Sequence, residues 1–90
     1  MPELKRIVLD VLKPHQPNVL DLSRAIAALG ADYRVSINVI EVDEKTETVA
    51  IDVQGEQLDF DRIERSIREL GGAVHSIDLV LRAGDATSGD

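Results

Sequence analysis

Ninety residues carry 10 basic and 17 acidic side chains, a formal net charge of −7, which disfavours a phosphate backbone as partner; two aromatic residues, Tyr33 and Phe60, give bases nothing to stack on. With no cysteine, the chain excludes disulfides, thiolate metal sites and cysteine nucleophiles. No segment is apolar for long enough to span a membrane as a helix, and MPELKRIVLD lacks the features of a secretory signal, so the expected address is the cytoplasm.

In chain order, Leu4 to Leu12 reads as a first strand, rich in branched residues and bounded by Pro14. A helix is expected from about Pro17, a residue tolerated in a first helical turn, to Leu29. Val19, Leu22, Ile26 and Leu29 form its apolar stripe, and Gly30 is its expected left-handed terminator. Tyr33 to Val42 and Thr46 to Gln54 read as strands joined by the hairpin loop Asp43-Glu44-Lys45. Asp59 is placed to cap a second helix. Leu58 and Ile63 have staple spacing, Asp61–Arg65 and Glu64–Arg68 are i,i+4 pairs, and Gly71-Gly72 ends the helix. Ala73 to Arg82 is the last strand. A single domain over residues 1–84 is expected, with GDATSGD at its end giving a disordered tail over 85–90.

The pattern occurs twice. At an offset of 41 or 42 residues, Ile7, Leu9 and Val11 fall on Val49, Ile51 and Val53. Val19, Leu22, Ile26 and Leu29 fall on Phe60, Ile63, Ile67 and Leu70. Val35, Ile37 and Val39 fall on Ile77, Leu79 and Leu81. Two strand–helix–strand halves make an α+β fold, the ferredoxin-like βαββαβ sandwich. Its antiparallel four-stranded sheet has the order 4-1-3-2, with both helices on one face.

Strict alternation puts the odd residues of each strand under the helices and the even ones on the open face. Val8, Leu12, Ile40, Val42 and Val80 then make that face too apolar to remain in water, which argues for self-association. Asp10, Asp52 and Asp78 share it. Three neighbouring carboxylates raise one another's pKa. A Ca2+ or Mg2+ ion, with Asn38 or Ser76 as further oxygen ligands, would relieve the repulsion. So would an arginine from a neighbouring subunit, and strand registers that hold the carboxylates apart and solvated need neither. At one sheet end, Lys13 and His15 are expected beside His75 and Ser76, a set able to take an anion or a transition metal or to move a proton. A turn histidine at His15 and a partly buried, hydrogen-bonded histidine at His75 is the simpler reading.

The stretches Leu9-Asp-Val-Leu-Lys-Pro-His15 and Gly71-Gly-Ala-Val-His-Ser-Ile-Asp78 carry a resemblance, together with Asp43 to Val49 and Leu58 to Asp61. They resemble an archaeal family classed as domain of unknown function 211, over about Leu4 to Gly84. The resemblance implies a ferredoxin-like fold and ring-shaped homo-oligomers, hexamers or heptamers. It brings no established activity or catalytic residues, although the family's pattern includes Asp10, His15, His75 and Asp78. The expectation is a non-enzymatic assembly module, its partner being itself rather than nucleic acid or membrane. A ligand- or metal-responsive sensor is the alternative, and an enzyme using Lys13, His15 and His75 at subunit junctions is a weaker one.

Overall fold

The computed structural model describes residues 2–84; the expected tail over 85–90 lies outside the described residues. The elements run β1 (Glu3–Pro14), α1 (Val19–Ala27), β2 (Arg34–Val42), β3 (Thr46–Gln54), α2 (Phe60–Glu69) and β4 (Ala73–Ala83). All strand pairs are antiparallel, in the order β2-β3-β1-β4. This is the expected sheet and the expected βαββαβ fold.

One apolar cluster holds the layers together. Ile7, Leu9 and Val11 of β1 and Val49, Ile51 and Val53 of β3 meet Leu22 and Ile26 of α1 and Ile63 and Ile67 of α2. The central strands therefore supply the floor and each helix two fully buried side chains. The repeat-related Val19, Leu29, Phe60 and Leu70 pack around this centre, partly buried.

The helix ends differ from the sequence reading in instructive ways. Asp59 caps α2 as expected, accepting from the Arg62 N–H at 3.2 Å. At α1, however, Asn18 is the cap: its Oδ1 accepts from the Asp21 N–H at 3.0 Å, and Pro17 lies outside the helix. An Asn that satisfies a free first-turn donor outweighs a proline that merely lacks one. Gly71 adopts the left-handed conformation at φ 89° and closes α2. Gly30 does not; a Cβ there would lie 2.5 Å from the Tyr33 ring, so the glycine makes room for an aromatic side chain.

Strict alternation fails at four bulges, where one strand carries an extra residue and the parity inverts. They are Lys5 in β1, Ile40 in β2, and His75 and Asp78 in β4. Leu4 is thereby turned into the core. Val42 pairs with Glu47 on the helix side, and Val80 pairs with Ile7 there as well. Leu79, Leu81 and Glu41 turn to the open face instead, opposite Val8, Arg6 and Thr48. The apolar part of the open face is thus Val8, Leu12, Leu79 and Leu81, gathered on β1 and β4.

Candidate functional site

Three places on the molecule carry chemistry. The first is the sheet end where β1 meets the β2–β3 hairpin. Lys13 has the parity of the core strand face and is only 2% exposed. An ammonium there requires a carboxylate and further acceptors. Register supplies them: Lys13 lies opposite Glu47, and Nζ donates to Glu47 Oε1 and to the Pro14 carbonyl, both at 2.7 Å. His15 completes the group. Its Nε2 is 3.1 Å from the Glu44 carbonyl and its Nδ1 4.0 Å from Glu47 Oε2. The group ties β1 to the hairpin. The lysine is buried and committed, which leaves it unsuited to nucleophilic work.

The second place is a cleft of about 930 Å3 at the opposite sheet end. Two loops form its wall and are laced to each other. Asp32 Oδ2 accepts from the Glu56 N–H at 2.6 Å, and Tyr33 Oη accepts from the Asp59 N–H at 2.9 Å. Leu4, Leu58 and Phe60 add apolar lining; Arg62 and Arg82 reach into the cleft, and neither has an ion-pair partner among the described residues.

The third place is the open sheet face. Its cross-strand rows are Arg34–Gln54–Arg6–Leu81, Ser36–Asp52–Val8–Leu79, Asn38–Ala50–Asp10–Ser76 and Glu41–Thr48–Leu12–Ala73. The carboxylates expected to crowd together are distributed otherwise. Asp52 is gripped by Arg6, Nε to Oδ1 at 3.1 Å and Nη2 to Oδ2 at 2.7 Å. That contact raises the Arg6 pKa above its ordinary value, first through the hydrogen bond and then through the charge of Asp52. Asp78, the bulge residue, accepts from Ser76 Oγ at 2.7 Å. Asp10 lies opposite Ala50 on one side and Ser76 on the other. Among the described residues, no three His, Asp or Glu side chains are grouped to hold a metal ion.

Residues 5–87 carry the pattern of the archaeal family described as "Uncharacterized ArCR", domain of unknown function 211. The chain belongs to this family. It is also similar to an uncharacterised protein of Methanocaldococcus jannaschii, at 44% identity over 81 residues, 90% of this chain and 84% of that one. Residues 5–87 take in every strand and helix except the first residues of β1, so the match concerns the fold as a unit.

The residues singled out from sequence are brought together only in part. Asp10, Ser76 and Asp78 are neighbours on the open face, whereas Asp52 has its cation from Arg6 of the same chain. Asn38 shares the Asp10 row with Ala50 between them. Lys13 and His15 meet Glu47 on the β3 side of β1, while His75 stands on the β4 side as an exposed bulge residue. The partly buried His75 of the sequence reading is thereby corrected. Glu47 and Arg6 were missed. Glu47 had a signal: a lysine at core parity in β1 calls for an acid at core parity in β3.

Proposed function

We propose that this protein is a homo-oligomeric assembly module whose subunits join through the exposed edges of β2 and β4. One observation carries the reading. Of the nine large apolar side chains exposed among the described residues, seven belong to the two edge strands: Val39, Ile40 and Val42 on β2, and Ile77, Leu79, Val80 and Leu81 on β4. Edge strands of 9 and 11 residues present rows of unpaired N–H and C=O groups, and apolar side chains beside them favour pairing with another chain. Because the two edges differ, contact of β4 with β2 of the next copy is head-to-tail, which closes into a ring when the rotation permits.

A ring of this kind needs no metal ion, since Asp52 is neutralised within its own chain. The expected result is one oligomeric mass by light scattering, unchanged between EDTA and millimolar Ca2+ or Mg2+. A monomer at micromolar concentration would end the reading. A ring formed only with the cation would move it towards a metal-organised scaffold.

The cleft lined by Arg62 and Arg82 favours a second reading, a sensor whose assembly responds to a small ligand. Linkage then requires the ligand to bind one assembly better than another. Identical mass distributions with and without a panel of free amino acids would argue against an amino-acid sensor.

A further inference from the structure

The cleft between the laced loops holds hydrogen-bond donors that the chain itself does not use. Arg62 stands on the first turn of α2, and Arg82 lies opposite Leu4 on the helix side of β4. Both are exposed, both line the cleft, and neither has an ion-pair partner among the described residues. Tyr33 adds a third donor. Its Oη accepts from the Asp59 N–H, which uses an oxygen lone pair and leaves the phenolic proton to donate. The three come from separate parts of the chain but share one wall. The Leu58 N–H donates to the Leu4 carbonyl at 2.8 Å, so the segment that carries Asp59 and leads into Arg62 runs beside the β1 residue paired with Arg82.

The acids around the cleft are mostly committed. Glu56 Oε2 is 3.1 Å from Lys5 Nζ, Asp32 accepts from the Glu56 N–H, and Asp59 caps α2. Asp61 follows the cap on the first turn of α2, and as the sequence neighbour of Arg62 it does not face it on the helix. The uncommitted side chains, two guanidiniums and one carboxylate, leave one net positive charge at this place in a chain of net charge −7. The committed carboxylates keep their charges, and these oppose a ligand that brings two negative charges. The remaining lining is apolar: Leu29 and Phe60 are half-buried, with Leu4 and Leu58 buried beside them.

We propose that this cleft binds a small monocarboxylate with an apolar or aromatic body. Its carboxylate is held by Arg62, Arg82 and the Tyr33 O–H, and its body lies against Leu29 and Phe60. The proposal rests on the cleft of the second reading above and names its ligand class. One carboxylate accepts about four hydrogen bonds, and the planar guanidinium fork matches its two oxygens. The volume of about 930 Å3 falls within the range of small-molecule clefts, about 300–1,000 Å3, and leaves room for a ring beyond the carboxylate. A phosphate monoester carries the second negative charge that the surrounding acids oppose. A free amino acid sets an ammonium beside its carboxylate, where it meets the same two guanidiniums.

The test is calorimetric titration of the protein with phenylacetate, compared with neutral phenylacetamide, zwitterionic phenylalanine and dianionic phenyl phosphate. Phenylacetate is expected to bind about tenfold or more tightly than each of the others. Arg62→Gln and Arg82→Gln are each expected to weaken its binding about tenfold, and Tyr33→Phe about fivefold. Arg24→Gln, on the exposed side of α1 and outside the cleft, is expected to leave it unchanged, with circular dichroism confirming the fold of every variant. Absence of phenylacetate binding at about 10 mM, or binding that both cleft arginine variants leave intact, would overturn the proposal. Equal or tighter binding of any of the other three probes would overturn the ligand class. Light scattering at saturating phenylacetate separates this from the sensor reading. Binding lost in the arginine variants but without effect on the wild-type mass supports the carboxylate site and ends the sensor.

Discussion

Lys13 is the residue whose environment is most constrained. Its ammonium is almost removed from water, with Glu47 as its counter-charge. Breaking a buried pair from one side leaves an uncompensated charge, so Glu47→Ala is expected to destabilise the fold by about 3 kcal/mol or more. Urea denaturation measures this, with His15→Ala, at the outer margin of the group, as the mild control. Arg6 behaves differently. Asp52 raises its pKa, so the linked stability is present at all pH values below the ordinary guanidinium range and is lost only above it. The pair therefore introduces no pH dependence near neutrality through Arg6. The parity of Lys13 was legible in the sequence, and with it the need for Glu47. Arg6 was not, because its grip on Asp52 is diagonal: Arg6 faces Gln54, and Asp52 faces Val8.

Among the elements, the loops at the cleft end are held by shape as much as by hydrogen bonds. The Tyr33 ring occupies the space a Cβ of Gly30 would need, and a Cβ at Gly55 would lie 2.8 Å from Leu58 Cδ2. Gly30→Ala is expected to cost about 1–3 kcal/mol through overpacking. Tyr33→Phe, which removes the acceptor for the Asp59 N–H, is expected to cost about 1 kcal/mol. Thermal or urea unfolding distinguishes the two, since Tyr33→Leu relieves the first and not the second. The strands, the Asp59 cap and the stop at Gly71 could be read from residue types alone, because each depends on local chemistry. Glycine at position 30 suggested a helix terminator for the same reason, yet its cause is a side chain three residues on. The bulges had no local signature: Lys5, Ile40, His75 and Asp78 are ordinary strand residues, and only pairing with a neighbour reveals the extra one.

For the whole molecule, the mismatch between layers matters most. β1, with 12 residues, spans about 40 Å, whereas α1, with nine, spans about 14 Å. The helices therefore cover the centre of the sheet, and the edge strands extend beyond them. In the proposed assembly, self-association would supply the missing cover, and anything bound only by the folded state stabilises it by mass action. The melting temperature is accordingly expected to rise with protein concentration, and a concentration-independent value by calorimetry would count against association. The repeat made this architecture legible because the core of each half is a run of unbroken alternation in β1 and β3. The candidate face was misread at β4 because the alternation there is broken twice.

That double break makes the last strand a matter of phase. Val74, Ile77 and Val80 share the helix side at intervals of three, a spacing usually associated with helices, because each bulge adds one residue to the strand period. Deleting Asp78 would set Leu79 directly after Ile77 and restore ordinary alternation, so Leu79 and Leu81 would keep the open face and Val80 the helix side. The extra residue is a spacer, and relatives aligned through this strand can carry a one-residue gap there and keep both of its surfaces.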